Sequence, residues 1–231
     1  LPPLLARALL ESAMPKLNLS ADEVLNTTRA VRKRLDLDRP LDMQEIRDCL
    51  EIALQGPSGS HAQGWHFVLV TDQDKIAAIA ELYQQAFREY EAGPAQPTRQ
   101  HTDDETMTET QEKVLNSAQY LAATLSRIPA LLIPCFVGRA DAPGLPLSVS
   151  ASMFGSILPS VWSFMLAARE RGIGTCWTTL HLQHEKEVAA LLAIPDDHMQ
   201  VAMIPMAYTL GTEFRPAPRK SLDGVLHINN W

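Results

Sequence analysis

The stretch Pro57-Ser58-Gly59-Ser60-His61-Ala62-Gln63-Gly64-Trp65-His66-Phe67-Val68-Leu69-Val70-Thr71 holds a change of structural period. Its first half continues Gly56 into a run of Pro, Gly and Ser, residues that stop a helix and favour turns. Its second half, from Trp65 to Thr71, is rich in aromatic and β-branched residues and reads as a buried strand. Upstream, Asp42 starts a helix with Ile46, Cys49, Leu50, Ala53 and Leu54 on one face. Downstream, residues 72–91 carry an apolar stripe of Ile76, Ile79, Ala80, Tyr83 and Phe87 at helical spacing.

Further out, residues 4–14 and 20–34 have helical spacing, and Ser20 with Glu23 forms a capping box. Residues 92–111 are polar and poor in apolar anchors, so they read as one long loop, a functional lid or an unstructured segment. A helix over 112–126 and a strand from Ala130 to Gly138 follow. Residues 147–171 make the longest helical segment, apolar enough to be buried at the centre or in an interface, with Pro159 expected to kink or break it. Thr175–His181 reads as a strand, His184–Ala193 as a helix and Gln200–Thr209 as a strand. No linker divides the chain, so 24–231 reads as a single domain behind a helical N-terminal extension, 1–23.

The composition is that of an ordinary globular protein: 231 residues, 46% hydrophobic and 20% charged. A chain this long buries about 70% of its unfolded surface and needs no staples. The net charge of −7 gives no broad footprint for nucleic acid. Three Cys argue against a disulfide framework and fit a reducing compartment. Leu1–Leu5 carries no basic start and does not read as a signal peptide, and no apolar run approaches the ~18 residues of a membrane span. A cytoplasmic protein with no membrane or nucleic-acid partner is the expectation.

Four chemistries compete. Ser58 among glycines, near His61, lacks the closing Gly of a nucleophile elbow and follows a helix rather than a strand. Cys176 beside Trp177 reads as a small buried apolar residue before it reads as a thiolate. His181 and His184 are the only close His pair, without a third ligand at a recognisable spacing, and read as solvated surface residues, so no metal is expected. Gly172-Ile173-Gly174 begins like a dinucleotide fingerprint, but Trp177 takes the third glycine position and the run follows a helix. Arg29, Arg32, Lys33 and Arg34, with Arg219 and Lys220, are placed to grip a phosphate. Taken alone, the cluster favours the bland reading, the dipole-complementing end of a helix.

Taken in order, these segments resemble the nitroreductase family of FMN-dependent oxidoreductases. Arg29-Ala30-Val31-Arg32-Lys33 with Leu35-Asp36 and Asp38-Arg39-Pro40 is similar to the family's opening R-R-S-x-R-x-F-D…R-P motif. Pro57–Phe67 is similar to its P-S-x-x-N-x-Q-P-W-x-F block, Gly172-Ile173-Gly174-Thr175 to its G-L-G-T flavin loop, and Pro218-Arg219-Lys220-Ser221-Leu222 to its closing basic motif. The sequence departs from the pattern at Val31 for Ser, at Arg32 where an apolar or hydroxyl residue is usual, at His61 for Asn and at Gly64 for Pro.

The resemblance implies an α+β fold, a mixed central sheet covered by helices, built as an intertwined homodimer with FMN at the interface. It implies that Arg29 and Arg219 hold the phosphate, with Ala30, Val31, Arg32 and Lys220 beside them. Lys33 faces the ribityl chain or the pyrimidine edge. Pro57, Ser58, Gly59, His61 and Gln63 line the ring from the second subunit, and the backbone of Ile173, Gly174 and Thr175 faces O4 and N5. It implies hydride transfer from NAD(P)H, a transient donor, to nitroaromatic, quinone or enone acceptors by a ping-pong mechanism, with no side-chain acid or base. A reductive dehalogenase, a flavin-fragmenting enzyme or a non-catalytic FMN-binding protein are the alternatives.

Overall fold

A computed structural model describes residues 16–100 and 104–231. The helix expected over 4–14 lies outside the described residues. Lys16–Ser20 form no helix, and the backbone N–H groups of Leu17, Asn18 and Leu19 donate to the carbonyl and carboxylate of Glu170.

Helix α1, Ala21–Thr27, opens with the Ser20–Glu23 capping box. The helical spacing does not carry on to residue 34. Thr28 is already extended, Ala30 bridges Thr175 in parallel and Leu35 bridges Thr209. Pairing to a sheet edge satisfies this backbone better than a further helical turn, so the basic run is no helix end. Asp42 caps helix α2, Met43–Ala53, by accepting from the Gln44 N–H, and Ile46, Cys49 and Ala53 are buried on its inner face.

Strand β1 is Trp65–Val70, and helix α3, Gln73–Ala92, follows under an Asp72 cap. The next helix, α4, Glu105–Thr124, starts earlier than the polar composition predicts, so most of the second half of the expected 92–111 loop is helical. Asp104 caps it by accepting from the Met107 N–H, and the Glu109–Lys113 pair supports its first turns, which need no apolar anchor. The connection before it holds a 3₁₀ turn, Pro97–Arg99, with Pro97 buried.

Strand β2, Ala130–Val137, is the centre of the sheet. It pairs antiparallel with β1, and with both β4, His198–Gln200, and β5, Ile204–Tyr208. Strand β3, Ile173–Thr175, closes the far edge against β5, giving the order β1-β2-β5-β3. The expected strand over 175–181 is thus shorter and earlier, and ends in a 3₁₀ turn, Leu180–His184, ahead of helix α6, Glu185–Leu192. The expected strand over 200–209 is broken at Val201–Met203, where Met203 bridges Thr178.

Alternation along β2 builds both halves of the core. Leu131, Ile133 and Cys135 join Ile76, Ile79, Leu121 and Leu125 of the α3–α4 side. Ala130, Leu132 and Phe136 join Ile46, Ile157 and Phe164 on the other. Phe164 and Ile157 belong to α5, Leu147–Glu170, which runs unbroken through Pro159. Tertiary packing holds it there: the Ser160 hydroxyl donates to the Ala53 carbonyl at 2.7 Å, and a Cβ on Gly56 would sit 3.0 Å from the Ser160 backbone. This helix is long and apolar enough to cross a membrane, yet one stripe of it is buried against α2 and the sheet. The fold is therefore the expected α+β arrangement of a mixed sheet covered by helices.

Candidate active site

The basic segment meets the β3 edge through a hydrogen bond from the Val31 N–H to the Thr175 carbonyl at 2.8 Å, and its far end is held by the Leu210 N–H on the Arg34 carbonyl. Burial, on a four-residue spacing that strand alternation does not give, then sorts its side chains. Val31 and Leu35 are buried, whereas Arg29 and Lys33 are exposed. Val31 is apolar where the family pattern has a hydroxyl because it packs in the core. Gly174 lies directly beneath, where a Cβ would come within 2.8–3.0 Å of Thr209, Leu35 and Val31 side-chain carbons. The room left at Gly174 is taken up by the chain itself, and Gly174 and Thr175 are both buried. Asp38-Arg39-Pro40 is anchored apart from this segment. Arg127 pairs with Asp38 at 3.0 Å and the Arg39 guanidinium lies 3.9 Å above the Tyr208 ring.

The C-terminal tail is drawn against the same segment. Arg34 donates to the carbonyls of Leu210 and Glu213, at 3.0 and 2.7 Å, and stacks on Phe214. Arg29 donates to the Arg215 carbonyl at 3.0 Å. Arg219 follows by only four residues, within about 14 Å along the chain. It and Lys220 are exposed, and among the described residues Arg219 bonds the Pro218 carbonyl. The sequence reading missed Arg169, which ends the apolar α5. It is 7% exposed, stacks on Phe214, donates to Thr27, and keeps Nη1 buried without a partner. Burial lowers its pKa from the ordinary value. Arg29, Arg34 and Arg169 gather on residues 210–215 and form no ion pair among the described residues, so this corner fits a dianionic phosphate.

The Pro57–Gln63 block stands elsewhere. Its Gly59 N–H donates to the Ser156 hydroxyl at 2.9 Å, fixing it on α5. Ser58 Oγ accepts from the Gln63 N–H at 2.7 Å, and the Gln63 amide meets His61 Nε2 at 2.9 Å. Ser60, His61 and Gln63 have φ of 52, 55 and 49°, left-handed conformations that cost about 1–3 kcal/mol each and cluster at functional sites. This loop leads into β1, while Arg29–Lys33 lies beyond β3. Three strand spacings, roughly 14 Å, separate the two edges. One chain does not bring the predicted residues together: Arg29, Lys33 and the tail share one edge, and His61 and Gln63 occupy the other.

Between α3, α4 and the 176–180 loop runs a cleft of about 200 Å³. Arg32, Tyr83, Tyr90, Trp177, Thr178 and Thr179 are among its walls, and the last three were not legible as site residues. Thr178 donates to the Tyr83 hydroxyl at 3.0 Å, and burial pushes the Tyr83 phenol up to about 12. A larger cavity, about 770 Å³ around Arg139, Glu185 and His198, contains none of the predicted residues.

The rival chemistries lose ground on burial. Cys49 and Cys135 have thiols pushed up to about 12, and Cys176 is shifted the same way, so none is a ready thiolate. His181, expected at the surface, is fully buried, and burial lowers its pKa to about 4. His184 instead pairs with Glu187 at 3.2 Å, so the two histidines do not act together.

An antiparallel sheet has a cationic seam on one edge and a loop of left-handed residues on the other, within an α+β frame. Residues 25–208 match the model of the Nitroreductase family, and the chain belongs to that family. A 4-nitrobenzoate reductase of Nocardioides sp. (strain LMS-CY) is 26% identical over 219 residues, covering 85% of each chain. A single-site variant of an FMN- and NADPH-dependent nitroreductase from Sphigopyxis sp. strain HMH is 24% identical, with a TM-score of 0.65 over 92% of this chain and all of that one. An iodotyrosine deiodinase bound to FMN and 3-iodo-L-tyrosine is 19% identical, with a TM-score of 0.62 over 88% of this chain and 96% of that one. The likeness to the two solved structures is one of fold.

Proposed function

We propose that the protein is an FMN-dependent oxidoreductase that takes hydride from NADH or NADPH and passes reducing equivalents to a nitroaromatic, quinone or enone acceptor. The observation that carries this is the β3 edge, where Arg29 and Lys33 lie exposed with no ion pair among the described residues and Arg29 holds the C-terminal tail at Arg215. Bound FMN supplies the two-electron chemistry, and the chain binds and orients it. Arg29 and Arg219 hold the phosphate, with Arg169 stiffening the tail behind them through Phe214. Lys33, bonded to Asn116, offers a cation to the negative charge that develops at the flavin pyrimidine edge. No side-chain acid or base is required.

The split of the site between two sheet edges supports a homodimer in which one chain contributes Arg29–Lys33 and its partner contributes Pro57–Gln63. The exposed apolar residues of α5, Phe154 and Trp162 among them, and of the tail, Ile228 and Trp231, suit the cover such a dimer provides. The nitroreductase relatives support the acceptor class. The deiodinase likeness keeps reductive dehalogenation as a second reading. The deciding experiment is anaerobic: the purified protein is yellow with bound flavin, and NADH or NADPH bleaches it. A protein that takes up no FMN, or holds flavin that neither donor reduces, refutes the proposal.

A further inference from the structure

The segment ahead of Arg29 is held at both ends by consecutive residues of α5. At its start, the Glu170 carboxylate accepts from the Asn18 N–H at 2.7 Å and from the Leu19 N–H at 3.1 Å, and the Glu170 carbonyl accepts from the Leu17 N–H at 2.9 Å. Asn18 is left-handed, φ 54°, a conformation that turns successive N–H groups towards one anion. At its end, Arg169 Nε donates to Thr27 Oγ1 at 3.2 Å. Helix α1 spans the distance between these contacts, capped at Ser20 and closed by the Thr28 hydroxyl on the Val24 carbonyl.

Arg29 thus sits between two anchors. Thr27, two residues before it, is held by Arg169, and Val31, two residues after it, is held by the Thr175 carbonyl. Arg169 also stacks on Phe214, next to the Arg215 carbonyl that accepts from Arg29. Thr28, Arg29, Arg169 and Phe214 line one small pocket with Gly174 and Thr175. A shift of α1 therefore reaches Arg29 directly. The family motifs begin at Arg29, and Glu170 and Leu17–Leu19 lie outside all of them.

Two effects of Glu170 oppose each other. Burial lowers the Arg169 pKa, and Glu170 is the strongest of the charges countering that shift, so as a charge alone it disfavours an anion beside Arg169. As a tether it draws the start of α1 onto α5 through two charge-assisted bonds. The carboxylate is half-buried and already shared by two donors, so screening reduces the first effect and leaves the second. We infer that Glu170 is a positioning residue: by holding the Leu17–Leu19 backbone it braces α1, and through α1 it sets Arg29 for a phosphate. This rests on the reading of Arg29 as a flavin-phosphate ligand.

The test titrates the apoprotein with FMN and with riboflavin, followed by flavin fluorescence, for the wild type, Glu170→Ala, Glu170→Gln and Asn18→Pro. Asn18→Pro removes an N–H and forbids the left-handed φ, so it breaks the contact from the other side without touching the charge. Glu170→Ala and Asn18→Pro are each expected to weaken FMN binding about 5- to 30-fold, the lower part of the range for coupled sites, and to leave riboflavin binding unchanged. Glu170→Gln, which keeps one acceptor oxygen, falls between. In an Arg29→Ala background Glu170→Ala has no further effect, because both act through one contact. Where Glu170→Ala does not fold, Glu170→Gln and Asn18→Pro carry the same comparison.

Tighter FMN binding in either Glu170 variant overturns the inference, since it shows a charge and not a brace. So does an unchanged FMN-to-riboflavin ratio across the variants, even with lowered melting temperatures, and so does full additivity with Arg29→Ala. A wild type that binds both flavins equally refutes the phosphate reading itself, and the inference falls with it.

Discussion

The Val31 N–H donates to the Thr175 carbonyl at 2.8 Å and anchors the start of the basic segment on β3, while the Leu210 N–H holds its end at the Arg34 carbonyl. Val31 also fills the space over Gly174, where a Cβ would meet Thr209, Leu35 and Val31 carbons at 2.8, 2.9 and 3.0 Å. Gly174→Ala is therefore expected to overpack the seam and destabilise the protein by about 1–3 kcal/mol. It should also weaken FMN retention by shifting Arg29 and Lys33. Urea unfolding and flavin content measure the two effects; no change in either shows that the seam has slack.

Arg29→Ala and Arg219→Ala are each expected to weaken FMN binding about 10- to 150-fold, for the loss of ~1.5–3 kcal/mol of charge-assisted hydrogen bonding to phosphate. Riboflavin, which lacks the phosphate, binds the wild type poorly and responds little to either change. Fluorescence titration of the apoprotein with both flavins distinguishes phosphate recognition from a general loss of the tail contact at Arg215. Wild-type FMN affinity in both variants would refute the role.

His181 predicts acid sensitivity. Burial lowers its pKa from 6.5 to about 4, and among the described residues neither ring nitrogen has a partner. The unfolded chain thus binds a proton between about pH 6.5 and pH 4 that the folded chain refuses. Stability rises with pH across that window, and on acidification it is lost as pH falls from 6.5 towards 4, by on the order of 3 kcal/mol at most. His181→Leu should flatten that part of the profile. Denaturation midpoints at pH 7 and pH 5 for both proteins decide it; equal slopes locate the acid-labile group elsewhere.

The dimer carries its own test. With His61 and Arg29 on opposite sheet edges, a separated chain holds half a site. The protein is expected to be dimeric at micromolar concentration, and Trp162→Asp on the exposed stripe of α5 to yield monomers that lose flavin together with assembly. Light scattering with flavin absorbance would expose an FMN-loaded monomer, which the split site does not allow.

Local chemistry was legible wherever it acted within a few residues. Ser20 with Glu23, Asp42, and the apolar stripes of α2 and α3 marked their helices because caps and period need no distant partner. Thr28–Leu35 misled because its helical spacing competes with an offer from the β3 edge that no local window contains. The start of α4 was hidden because an Asp104 cap and an i,i+4 ion pair sustain it without apolar residues. Of the site, the cations and the strained Pro57–Gln63 loop were visible as motifs. Arg169 and the Trp177–Thr179 wall were not, since each acquires meaning only from the ring or segment packed against it. His181 looked like surface because burial of a polar residue leaves no sequence pattern.

The last prediction concerns kinetics. Gly172–Gly174, the one run resembling a dinucleotide fingerprint, is buried at the start of β3 and offers no loop for a second nucleotide. Donor and acceptor are therefore expected to use the same space in turn, with parallel double-reciprocal lines as the result. Asn116 of α4 accepts from Lys33, and the connection over 93–104 leads into that helix. Shortening the connection should alter acceptor preference through the position of α4 more than it alters flavin reduction by NAD(P)H. Anaerobic stopped-flow absorbance separates the two half-reactions. Intersecting lines, with acceptor and NAD(P)H bound together, would require a second pocket, and the 770 Å³ cavity around Arg139 would then be the place to look for it.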